Sequence, residues 1–179
     1  MQLRTEIQLK TMMKAMDDVI LPAIDSSNQL ALEQAQLVKA MMGLMAHQLP
    51  LQFDFDRDEL QRLIDTADKI QAVCLQLQGP PVISGELYSQ AEQASTILSR
   101  CTVNPALVEE RIRVLRRLVG EAVQEIQSVS DHKLREKLEG AVVAMSREQL
   151  LRDRALMIKQ GWEVDPESLP TIESLLDTA

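Results

Sequence analysis

Rings are scarce in this chain. Of 179 residues only Phe53, Phe55, Tyr88 and Trp162 are aromatic, 2% of the total, and glycine occurs six times. Sandwiches and barrels draw on aromatic, β-branched and turn-forming residues. Their shortage, beside nine methionines, points to an all-α protein.

Histidine is scarcer still, and its two copies exclude particular chemistries. A carboxylate-bridged di-metal bundle needs Glu-x-x-His pairs on facing helices, but Leu44 and Val129 stand three residues before His47 and His132. The two histidines and two cysteines are scattered without the short spacings of a zinc site. No Gly-x-Ser-x-Gly elbow and no glycine-rich phosphate loop is present. Asp54-Phe55-Asp56-Arg57-Asp58 imitates the start of a calcium loop. Its sixth position, however, is Glu59 instead of glycine, and Leu60, Leu63 and Ile64 already follow a helical rhythm. No catalytic residue, metal ligand or cofactor is expected.

Cys74 is expected near the end of one helix and Cys101 about 16 residues into the next, ~24 Å apart in an antiparallel hairpin at 1.5 Å per residue. Both then read as small buried hydrophobes in a reducing compartment. Arg4, Glu6 and Lys10 interrupt any opening apolar run, and no stretch has the length of a membrane helix. A cytoplasmic location is the expectation.

Net charge is −8, which counts against a nucleic-acid partner. Residues 1–104 carry 8 basic and 13 acidic side chains, residues 105–159 carry 11 and 9, and residues 160–179 carry 0 and 5. The basic excess centres on Arg111, Arg113, Arg116 and Arg117. Glu109–Arg113 and Arg117–Glu121 stand four residues apart, so this reads as a self-neutralised helix face.

Apolar periodicity supplies the architecture: an antiparallel helical bundle of six to eight helices. A first helix runs from about Leu3, with Met13, Met16 and Ile20 on one face. Pro22 interrupts it, and Ser26 with Gln29 resembles a capping box. Yet the spacing continues through Ala23, Leu30, Leu37, Met41 and Leu44. A kink at Pro22 is favoured over two helices joined by a short link. A second row, Ala31, Ala35, Val38, Met42, Met45 and Leu49, widens the apolar stripe, and this segment is expected to be the centre of the core.

Asp56 with Glu59 can cap the next helix, whose inward row is Leu60, Leu63, Ala67, Ile70, Cys74 and Leu77. Gly79-Pro80-Pro81 breaks the chain, and Ser84 can cap a helix to about Cys101. Asn104-Pro105 opens another, with the clearest row of all: Val108, Ile112, Leu115, Val119, Ala122, Ile126 and Val129, alternating steps of four and three. A further row through Leu134, Leu138, Ala141 and Met145 breaks at Ser146, where Ser146 and Gln149 form another capping box before Leu151, Ala155 and Ile158. Gly161 closes the last helix. Residues 1–160 are therefore read as one bundle domain and 161–179 as an acidic tail with a short helix.

The functional expectation is a non-enzymatic interaction or scaffold protein. A kinked helix over residues 3–48 would span ~69 Å and leave Met13, Met16 and Ile20 for another partner, either the segment 131–160 of the same chain or a second copy, and the second is the reason to expect a homodimer. The alternative is a small apolar ligand held in a pocket of Met41, Met42 and Met45. Trp162 is expected to anchor the tail against its own bundle.

Overall fold

The computed structural model describes residues 4–77, 82–100 and 102–176. These residues are predominantly helical, with no strand among them. The helices are α1 (Thr5–Ala15), α2 (Leu21–Ala23), α3 (Gln29–Gln48), α4 (Gln52–Cys74), α5 (Val82–Leu98), α6 (Pro105–Ile126), α7 (His132–Met157) and α8 (Ile172–Leu176). A π-turn, Met16–Ile20, joins α1 to α2, and single 3₁₀ turns occupy Ile158–Gln160 and Pro166–Ser168. The all-α bundle reading holds. The chain divides into two compact units, Met1–Gln52 with Arg154–Glu173, and Phe53–Asp153 with Ser174–Ala179.

The first unit is built on a helical hairpin. Pro22 cannot donate a backbone hydrogen bond, and its ring would crowd the carbonyl one turn earlier. The helix meets this with the wider π-turn, in which the Leu21 amide reaches back to the Met16 carbonyl. Ile24 is then extended, and Asp25 accepts from both the amide and the hydroxyl of Ser27. The chain breaks here instead of kinking. Asn28, not Ser26, caps α3 by accepting from the Ala31 amide at 3.1 Å; Gln29 donates to the Ser26 carbonyl. α3 returns antiparallel along α1, with Lys39 on Asp17 at 2.7 Å and Gly43 beside the Met13 sulfur. The end of α7 and its 3₁₀ turn lie on α3 through Gln48–Met157 and Gln160–Met41. Gly161 ends this segment with φ of 73°, the left-handed geometry that glycine reaches without strain.

The hairpin removes the 69 Å helix from which an unpaired first half was argued: α1 covers α3 itself. It also corrects the expected centre of the core. Leu44 is the one buried residue of α3, while Leu30, Leu37, Val38, Met41, Met45 and Leu49 are exposed.

The core lies in the second unit, where α4, α5, α6 and α7 contribute to one apolar cluster. The expected α6 row is buried at every position from Val108 to Val129. Asn104 caps this helix through the Ala106 amide at 3.0 Å. Leu60, Leu63, Ala67, Ile70 and Cys74 of α4 are buried too, and Leu77 packs partly against them. Each fully buried leucine contributes about 1.5–3 kcal/mol. α5 runs back along α6, tied at one end by the Ile83 amide to Glu125 and further along by Arg111 to Gln90.

Three expected boundaries move. α4 starts at Gln52, so Asp56 and Glu59 lie within the helix instead of capping it. Ser84 is a buried residue of α5 and not its cap. α7 runs unbroken through Ser146; serine is tolerated there because its neighbours hold the helical hydrogen bonds. The Gly79-Pro80-Pro81 break and Cys101 lie outside the described residues.

Candidate functional site

Placement of the candidate residues separates them into two groups. Met16 is buried, and Met13 and Met42 are half-buried within the first unit. Ile20, Met41, Met45 and Trp162 are exposed. Trp162 is therefore not the tail's anchor, since 78% of its surface is free. Ile172 is the buried apolar residue of this segment, at 3% exposure.

Helical geometry groups the exposed residues of α3. At 100° per residue, Leu30, Leu37, Val38, Met41, Met45 and Leu49 fall within one face about a third of the circumference wide. Their exposure runs from 43% to 68%. The opposite face carries Lys39 and Gly43, which meet α1. Charged side chains are few in α3, with Glu33 and Lys39 its only formal charges at neutral pH. A charge-poor helix face rich in methionine and leucine has the composition of an interface centre.

His47 sits near the end of the same helix. Partial burial, then the Lys159 ammonium, hold its imidazole below the ordinary value, and Glu173 opposes them.

The polar chemistry lies in the second unit. Asp58 and Arg62 are one turn apart on α4 and form an ion pair. Arg152 of α7 joins them, with Nε 2.8 Å from Asp58 Oδ2. The remaining Arg152 donors reach Glu148 Oε2 at 2.7 Å and the Leu175 carbonyl at 3.3 Å. Arg62 also donates to Gln149 at 2.7 Å. Burial and the Arg152 charge push Arg62 down to about 10. Burying these charges is costly, and their mutual pairing offsets the cost. Beside them Glu59, buried on α4, is held by Arg116 of α6. Burial raises the Glu59 carboxyl above its usual range, and Arg116 works against that rise.

The expected pairings on α6 are present for Arg113 with Glu109 and Arg117 with Glu121. Arg111 and Arg116 instead reach α5 and α4. The Asp58–Arg62 spacing was visible in the sequence as an i, i+4 pair. Arg152, 90 residues beyond Arg62 in the chain, carried no such signal.

Two open clefts flank this network. One, of about 520 Å³, is lined by Asp54, Arg57, Asp58 and Gln61 of α4 and Ser95 and Ser99 of α5. The other, of about 410 Å³, is lined by Glu59, Arg116, Met145, Gln149 and Asp153 among others. Neither contains Met41, Met42 or Met45. Among the described residues no group of three or more His, Cys, Asp or Glu side chains is placed to hold a metal ion. No helix among them is long and apolar enough to cross a membrane. Comparison with protein-family models, with curated proteins and with solved structures finds no match to this chain.

Proposed function

We propose that this chain is a non-enzymatic helical interaction protein that pairs with a second copy through the exposed face of α3. The observation that carries this reading is the exposed face of α3 on which Leu30, Leu37, Val38, Met41, Met45 and Leu49 surround Gln34. The face is close to symmetric about the point between Lys39 and Ala40. An antiparallel partner helix in that register sets Leu30 against Leu49 and Val38 against Met41. Met45 then meets Gln34, while Lys39 stays on the face that meets α1. Leu30–Leu49 and Val38–Met41 are apolar pairs and no like charges are opposed, as a two-fold interface requires. A cytoplasmic setting suits this role, with Cys74 a buried free thiol. The small-ligand alternative draws no support from the methionines, because Met41 and Met45 stand open on a convex helix face.

Native mass spectrometry at micromolar concentration tests the proposal. A dimer is expected for the parent chain, and a monomer with unchanged helical circular dichroism for Val38→Glu with Met41→Glu. A parent chain that is monomeric across that range overturns it.

A further inference from the structure

The exposed tryptophan lies away from the apolar row of α3 in sequence and has its own support. Gly161 turns the chain out of its helix, and residues 162–165 follow without helical structure. Arg154 clasps the Glu163 carboxylate with two donors, Nε to Oε2 at 2.9 Å and Nη2 to Oε1 at 2.7 Å. Such a two-point contact fixes orientation as well as position. It turns Glu163 inward, to 18% side-chain exposure. Its neighbours on either side are left outside, Trp162 at 78% and Val164 at 97% exposed. The clasp therefore leaves an indole and an isopropyl group exposed within three residues of chain.

The chain that follows them is acidic. Asp165 and Glu167 follow and are exposed, and no basic residue occurs from position 160 onward. The nearest cations on the chain, Arg154 and Lys159, precede the pair, and Arg154 is already engaged by Glu163. A large aromatic anchor with a polar rim is the usual form of a binding hot spot, and the sign of this rim selects a cationic partner.

We propose that Trp162 and Val164 anchor a docking segment for a basic amphipathic helix of a partner protein. The apolar face of that helix covers the two side chains, and its Lys or Arg residues reach Asp165 and Glu167. Arg154 acts as a positioning residue that holds Glu163 out of the way. This surface is independent of the pairing through α3.

Trp162 is the only tryptophan in the chain, so its fluorescence reads the site directly. The probe is a synthetic helical peptide of leucine and lysine, titrated into the full-length protein, with a leucine–glutamate peptide of the same pattern as control. The expected result is a saturable shift of emission to shorter wavelength with the lysine peptide alone, weakening as salt is added. Asp165→Asn with Glu167→Gln is expected to weaken binding about tenfold, a loss of ~1.4 kcal/mol. By calorimetry, Val164→Ser and Trp162→Ala are expected to weaken it also, with circular dichroism unchanged. Arg154→Gln lowers affinity less, by releasing Glu163. The proposal is overturned by no shift, by an equal shift with the glutamate peptide, by equal calorimetric affinity in Trp162→Ala, or by an equal shift on adding phosphatidylcholine vesicles. None of these outcomes depends on whether the chain is dimeric.

Discussion

Two helices of similar length, α3 and α6, use apolar residues in opposite ways. α6 alternates its apolar row with arginine and glutamate, so its charges lie away from a continuous apolar stripe. Val108, Leu115 and Leu118 on that stripe lose all contact with water. α3 is apolar around a wider arc and has few charges, yet Leu44 alone is buried. Among the described residues five apolar side chains are buried in the hairpin unit (Leu9, Met16, Leu44, Ala155 and Ile172), against twenty in the bundle unit. Mean apolarity thus does not rank helices by burial. A sharp boundary between faces tells the chain which side to bury, and a broad apolar arc leaves surface over for something else.

The comparison breaks first in the bundle unit. Asp58→Ala strands Arg62 and Arg152 in the interior without their shared carboxylate, and a loss of about 3–5 kcal/mol is expected. Urea unfolding of the full chain measures it, and Asp58→Asn, which retains an acceptor, should lose less. A near-zero change for Asp58→Ala would mean that water reaches both guanidinium groups.

The contrast between α6 and α3 is sharpened by a matched pair. Leu115→Ala removes a fully buried side chain and should cost about 2–5 kcal/mol. Leu37→Ala, from a half-exposed position, should change monomer stability by no more than about 0.5 kcal/mol. Measurement at a dilution where any dimer has separated is essential, because burial by a second copy would raise the cost of Leu37→Ala with concentration.

A smaller effect concerns Glu59. Its raised pKa means that the folded chain retains this proton to higher pH than the unfolded chain does. The stabilising contribution is present below the ordinary carboxylate value and is lost as pH rises through the raised value. Glu59→Gln should flatten that part of the pH–stability curve. Urea melts between pH 4 and pH 7 compare the two curves. A variant less stable than the parent at pH 7 would show that Arg116 outweighs the burial cost.

Much of the bundle was legible from residue spacing. The α6 row, the Asn104-Pro105 start, the inward positions of α4 and the Gly161 stop each depend on groups within a few residues, and local rules describe them well. The errors have a common cause. Ser26, Ser84 and Ser146 resemble caps, but a side-chain cap forms only where the backbone has left the helix, and neighbouring helical turns prevent that at Ser84 and Ser146. The apolar rhythm continues past Pro22 and by itself points to a kink. The Asp25–Ser27 turn, with Asn28 as the cap, instead reverses the chain. The candidate residues were only partly separable: Met13 and Met16 look like Met41 and Met45 in sequence, and only packing placed the first two inward.

By itself the sequence determined the helical class, most of the bundle's inward rows and the acidity of the tail. Periodicity, local capping and counted charge are properties of neighbouring residues. Tertiary structure decided which apolar stripe was left uncovered, that Arg152 would meet Asp58, and that Arg154 would clasp Glu163 and leave Trp162 outside. Those outcomes depend on which helix faces compete for the same partner, a competition between segments far apart in the chain that no local pattern records.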